Sequence, residues 1–383
     1  MSSARLIKDF DMAYVSGAQT GPQRVTPSDW LSALNIFLDV TTNAAYTNQA
    51  WNCPASMMRN ITFRRNGDTL ISCSGDDLAL IQYYLRKVNP VNNQPLLLAT
   101  TKQYADIELY FEALGMHSFK GQRIGPVAER FSALPGGVGE NWDLSINWSA
   151  CAAAPNILGT VGLVTAAQAR VSRVPLWSDF PHDFTTRRIL TKTDTIAAAN
   201  AQYQIQLPNV NFYQFVMLRI WDNNAGVLTP YDISIAGVPA INTCSIYLSG
   251  NQYLMKGIVP FQYKSQNKYF TTMVDYAKQH IIAGPANVNE YDDYTKMPIG
   301  TLFLDLAGGD YENLFNARNM VNWGIELDIA APINTSWIIE TIYCTYDNIP
   351  AGLMSQPQDI GIANLSKVKT ITAGQLRRQA RRR

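Results

Sequence analysis

Two stretches of this chain, 181 residues apart, echo one another. The first opens on Asn141-Trp142, and Leu144, Ile146 and Trp148 then alternate with Asp143, Ser145 and Asn147. A corner of small residues follows, Ala152-Ala153-Ala154-Pro155-Asn156, and then a run from Ile157 to Val164. The second opens on Asn322-Trp323, and Ile325, Leu327 and Ile329 alternate with Gly324, Glu326 and Asp328. Its corner is Ala330-Ala331-Pro332-Ile333-Asn334, and its following run is Trp337 to Tyr343. Strand side chains point to opposite faces in turn, so period-two alternation means one packed face and one wetter face. An offset near half of the 383 residues implies two copies of a domain-sized unit, not a solenoid of short repeats.

The rest of the chain has the same rhythm. Ile107, Leu109 and Phe111 alternate with Asp106, Glu108 and Tyr110. Phe212 to Trp221, Ile299 to Leu306 and Trp337 to Tyr346 are apolar and rich in β-branched and aromatic residues, which predicts strands buried more completely. Asn66-Gly67, Asn223-Asn224-Ala225-Gly226, Ser249-Gly250-Asn251 and Gly308-Gly309-Asp310 mark turns, because Asn, Asp and Gly tolerate positive φ. Helices are few. Leu78, Ile81, Leu85 and Val88 predict one over 76–88, with Ser74 and Asp77 as a capping pair. Phe270, Met273, Val274, Ala277 and Ile281 predict another over 269–282. The pattern is that of antiparallel β-sandwiches, joined by a proline-bearing connector from Val174 to Phe184.

Charged residues make up only 16 % of the chain, against about 25 % in an average soluble protein. Neutral polar surface is cheaper to desolvate than charge, which suits a protein that packs against protein. The net charge of +1 is unevenly placed. From Gly361 onward stand Lys367, Lys369, Arg377, Arg378, Arg381, Arg382 and Arg383, with no acid, so the body carries −6 and the tail +7. Such a basic block attracts phosphate, whether of lipid head groups or of a genome, without reading sequence. With no aromatic residue interleaved, base stacking is not expected. Five cysteines, an odd number with no C-x-x-C pair, predict free packing thiols rather than a disulfide framework. Met1 to Phe10 shows no apolar signal core, and no run is long enough to predict a membrane span.

Catalytic and cofactor patterns are not found. His117, His182 and His280 are scattered, with no zinc spacing. There is no G-x-S-x-G elbow and no phosphate-binding glycine loop, and Gly136 and Gly137 read as turn residues. Asp76-Asp77 is expected at a helix N-terminus, where negative charge is favourable, and Asp292-Asp293 in a polar loop. No enzyme activity, cofactor or small-molecule substrate is expected.

Two sandwich halves, a duplication, few helices and no catalytic site resemble the double jelly-roll major capsid proteins of the tectivirus–adenovirus lineage. Pro298-Ile299-Gly300-Thr301-Leu302-Phe303-Leu304-Asp305 is similar to the proline–glycine entry into a late strand of their second jelly roll, and Leu134-Pro135-Gly136-Gly137 holds a like place in the first half. The resemblance implies an all-β fold of two tandem eight-stranded jelly rolls, over 1–178 and 185–350, with a basic tail over 351–383. It implies a homotrimer with a pseudo-hexameric footprint that meets neighbouring capsomers, and minor capsid proteins, in an icosahedral virion shell assembled in the host cytoplasm. The tail would then meet anionic lipid of an internal membrane, or genome. Loops Asn89 to Pro95 and Gln262 to Lys268 would decorate the top or the trimer seam. Two alternatives stand beside this: a carbohydrate-binding or carbohydrate-active sandwich protein using its eight tryptophans as platforms, and a minor or vertex virion protein.

Overall fold

Asn66 and Gly67 both have positive φ, at 50° and 84°, and they turn the chain between two antiparallel strands as the sequence predicts. This hairpin belongs to a computed structural model that describes residues 6–27, 30–42, 54–86, 91–92, 102–111, 133–137, 139–151, 164–176, 185–209, 211–224, 227–231, 239–249, 252–260, 300–307, 314–318 and 320–347.

In the first half the strands are β1 (Ile7–Ala13), β2 (Gln19–Val25), β3 (Trp30–Thr42), β4 (Met58–Arg65) and β5 (Asp68–Cys73). Helix α1 (Gly75–Arg86) follows, then β6 (Val91–Asn92), β7 (Lys102–Tyr110), β8 (Leu134–Pro135), β9 (Trp142–Trp148) and β10 (Val164–Leu176). The second half contributes β11 (Arg187–Ile196), β12 (Asn200–Gln206), β13 (Phe212–Asn224), β14 (Val227–Pro230) and β15 (Ile241–Leu248). It ends with β16 (Gln252–Ile258), β17 (Thr301–Asp305), β18 (Phe315–Asn316), β19 (Gly324–Ile329) and β20 (Ser336–Tyr346).

One strand order occurs twice. In the first half, β1-β10-β3-β7 faces β2-β9-β4-β5; in the second, β11-β20-β13-β17 faces β12-β19-β15-β16. Each is the eight-stranded jelly roll, two four-stranded sheets wound so that chain neighbours often lie in opposite sheets. The short strands β6, β8, β14 and β18 are additions at the edges. The sequence echo falls on equivalent strands: β9 and β19 are the seventh of their rolls, and β10 and β20 the eighth. Trp142, Leu144, Ile146 and Trp148 are all buried, as are Trp323, Ile325, Leu327 and Ile329. Each such side chain contributes about 1.5–3 kcal/mol by leaving water.

The late strand β17 begins where Gly300, at φ 73°, lets the chain pass close to its neighbours. A Cβ there would lie 2.7 Å from the carbonyl oxygens of both Ile220 and Tyr231, so no other residue fits without displacing backbone.

Some local boundaries differ from expectation. The strand after β9 runs from Val164 to Leu176, whereas the sequence suggests Ile157 to Val164; 152–163 lie outside the described residues. Val174, Pro175 and Leu176, assigned to the connector, pair with Ala33, Leu31 and Trp30 instead. Pro175 is accommodated where the register shifts, as a residue lacking an N–H must be. Val91 and Asn92, expected in a loop, add a short strand beside Ala105 and Tyr104. The helix over 269–282, the remainder of the connector and the loop at 262–268 lie outside the described residues.

The two rolls share a sheet. β11 lies parallel to β5, with Ile189 opposite Ile71 and Leu190 opposite Ser72. This joins β2-β9-β4-β5 to β11-β20-β13 in one ten-stranded sheet. The continuous burial of β13 follows from this joint. Val216, Leu218 and Ile220 enter the core of the second roll, while Phe215 and Met217 on the opposite face belong to the core of the first.

Candidate assembly surfaces and the joint between the rolls

Asp76 and Asp77 open α1, whose cap forms as the sequence predicts. The Ser74 hydroxyl accepts from the Asp77 N–H at 3.0 Å and donates to the Asp77 carboxylate at 2.7 Å. The two aspartates do more than favour the helix terminus. Both are buried, and both pair with Arg219 of β13 across the joint, Asp77 at 2.7 Å. Glu340 of β20 lies opposite Arg219 in the ladder and accepts from the Trp221 indole N–H at 2.8 Å. The Arg219 guanidinium also lies 4.3 Å from the centre of the Trp221 ring. One guanidinium thus sits among three carboxylates in the interior.

Burial raises the Glu340 carboxyl to about 7; the Asp77 charge adds to the rise and Arg219 opposes it. The folded state therefore holds a proton that the unfolded chain releases near pH 4.5. The Glu340 contribution to folding stability is largest below that value, falls as pH climbs from it through 7, and levels off above. Within this window the loss is about 1.4 kcal/mol for each step of one in pH. Urea unfolding of Glu340→Gln should lose most of this slope. An unchanged slope would place the proton elsewhere.

Two further arginines tie the rolls together. Arg188 donates to Asp68 of the first roll at 2.7 Å, to the Thr69 carbonyl at 3.1 Å and to Asp347 of the second roll at 3.0 Å. Arg187 is buried and donates to the Tyr110 carbonyl at 3.0 Å and to the Cys344 sulfur at 3.2 Å. Tyr84 of α1 stacks on Phe303 of β17. Lone charges inside apolar runs, Arg219 in Phe212 to Trp221 and Glu340 in Trp337 to Tyr346, were the sequence signal for this cluster. Their partners could not be read, because α1 lies about 140 residues before Arg219.

The joint is held by buried charge pairs, strand pairing and aromatic stacking. A cleft beside it, lined by Leu78, Gln82, Tyr110 and Arg187 among others, encloses about 10 Å³, the room of roughly one water. Cys73, Cys244 and Cys344 are free and buried, Cys151 is buried, and burial pushes the thiols of Cys73, Cys244 and Cys344 up, Cys244 to about 12. Among the described residues, no group of three or more His, Cys, Asp or Glu side chains is placed to hold a metal. No described helix is long and apolar enough to cross a membrane. The tail residues Lys367, Lys369, Arg377, Arg378, Arg381, Arg382 and Arg383, the three histidines and Asp292-Asp293 lie outside the described residues.

The outer surface has open sheet edges. Among the described strands β1 pairs only with β10, and β16 only with β15. The exposed large apolar side chains include Leu6 and Val15, flanking β1, and Leu254 and Val259, on and just beyond β16.

Strand order and joint together define the class: a double jelly-roll chain. No protein-family model and no curated protein matches it in sequence. Solved structures match it in fold over most of its length. The major capsid protein of Sulfolobus turreted icosahedral virus is 12 % identical with a TM-score of 0.60, over 89 % of this chain and 96 % of that one. The major capsid protein P2 of bacteriophage PM2 is 11 % identical with a TM-score of 0.52, over 90 % and 98 %. A chain of the PBCV-1 virus capsid is 11 % identical with a TM-score of 0.56, over 90 % and 94 %. At such identities the likeness is one of fold.

Proposed function

We propose that this chain is a viral major capsid protein, a structural subunit whose homotrimers tile an icosahedral shell. The observation that carries this reading is the tandem repetition of one jelly-roll order, joined through a shared sheet. It is the fold of the capsid proteins above over nine-tenths of the chain. Two similar rolls in each of three subunits give a six-lobed footprint suited to hexagonal packing, and the low charge of the chain suits extensive protein contact. The domain limits proposed are 1–178, 185–350 and 351–383. The carbohydrate reading has less support: Trp142, Trp148, Trp323 and Trp337 are spent in the cores and cannot serve as sugar platforms.

Light scattering coupled to size exclusion, with negative-stain images of the peak, tests this. Three chain masses and six-lobed particles are expected. A monomer unchanged across salt and concentration would overturn the reading.

The basic tail is assigned to anionic phosphate at the inner face of the shell. A chain ending at residue 360 should keep its trimer and lose salt-sensitive binding to vesicles of anionic lipid and to DNA. Retention of both would remove the tail from that role; loss of one alone would name its partner.

A further inference from the structure

Within the chain, the fifth strand of the first roll and the first strand of the second meet as parallel neighbours, β5 with β11. Among the described strands the equivalent pair is left over: β16 is the fifth strand of the second roll, and β1 the first strand of the first. We propose that β16 of one copy lies parallel to β1 of the next, repeating the β5–β11 joint between subunits. This rests on the trimer reading and names its seam.

Three observations carry it. The first is geometric. The intrachain joint is head-to-tail, and a head-to-tail contact closes into a ring when its turn divides a full circle. For the trimer proposed above, three chains of two rolls close when each joint turns by about 60°, and every fifth-strand edge is then taken by a first strand.

The second is the distribution of exposed apolar side chains. Leu6 is 62 % exposed and Leu254 is 54 % exposed, and Val15 and Val259 lie close to the same two strands. These account for four of the seven large apolar side chains exposed among the described residues. Apolar groups gathered along an unpaired edge mark a contact surface.

The third is the state of the lysines. Lysine on an edge strand ordinarily guards it against pairing. Here Lys8 is drawn back to Asp11 on its own strand at 2.6 Å, and Lys256 lies over the Tyr253 ring, 4.7 Å from its centre. Other outer strands differ: β2 carries Pro22, β14 ends at Pro230, and β12 shows solvent mainly Asn and Gln. A second copy of this chain is therefore the occupant that fits both edges.

Benzoylphenylalanine placed at position 254 of the full chain gives the test. Irradiation should yield chains linked to one another, with the linked peptide falling within 6–15. Links to β16 of a neighbour, or to any other region, in a protein that scatters as a trimer would overturn the seam and leave the trimer standing. A monomer would overturn the trimer and the seam with it. Leu254→Asp should weaken the trimer by about tenfold or more with an unchanged circular dichroism spectrum, while Ile333→Asp, on an exposed side chain between β19 and β20, should not. A Leu254→Asp trimer as tight as the parent would also overturn the proposal.

Discussion

Arg219→Leu should destabilise the protein by about 3–5 kcal/mol, the usual cost of removing one partner from a buried ion cluster. The substitution preserves apolar bulk but leaves Asp76, Asp77 and Glu340 facing one another without the guanidinium that pairs with both aspartates. It acts on the joint, since α1 belongs to the first roll and β13 and β20 to the second. Thermal unfolding should therefore change in shape as well as midpoint, separating toward two transitions as the rolls lose their mutual support. The deficit should shrink toward pH 5, because the Glu340 carboxyl is then protonated. Replacing the acids as well, with Asp77→Asn and Glu340→Gln beside Arg219→Leu, should restore part of the loss. A single sharp transition at the parent midpoint would show that the cluster contributes nothing to docking.

Trp323→Ala should cost a similar amount, about 3–5 kcal/mol, for a different reason. Trp323 is fully buried in the core of the second roll. Its ring meets Tyr213 edge-on at 4.4 Å and Phe315 at 4.6 Å, and its N–H donates to the Pro208 carbonyl at 2.9 Å. Truncation leaves a cavity and removes one of the two hydrogen bonds that the Pro208 carbonyl accepts, the other coming from the Tyr213 hydroxyl at 2.6 Å. Trp323→Phe keeps most of the apolar volume and should cost only about 1–2 kcal/mol, chiefly the hydrogen bond. Chemical denaturation of both variants separates packing from hydrogen bonding. Equal losses would mean that the indole N–H, not the ring, dominates.

The echo around Trp142 and Trp323 reports equivalent strands because period-two alternation is a local property. A strand with one face in a core must alternate wherever it sits in the sheet. The hairpin at Asn66-Gly67, the capped start of α1 and the buried free thiols of Cys73, Cys244 and Cys344 were legible for the same reason: each depends on residues a few positions apart, or on composition. The long apolar runs were legible as buried strands, but not why they are buried. β13 reads as continuous because one face packs in its own roll and the other against α1 and the first roll, and sequence alone does not distinguish that from a strand buried within a single sandwich.

Tertiary structure alone decided the joint. The pairing of Ile189 with Ile71, the reach of Arg188 to Asp68 and the meeting of Arg219 with Asp76 and Asp77 span more than a hundred residues each. No local propensity encodes such a contact; it exists because two separately patterned rolls dock at one angle and register. The sequence by itself determined that there would be two similar β units, where several of their strands and turns lie, and that a basic block follows them. Which edges those units use on one another, and which they leave open, was set by docking, because an edge strand and a paired strand obey the same alternation and differ only in what lies beside them.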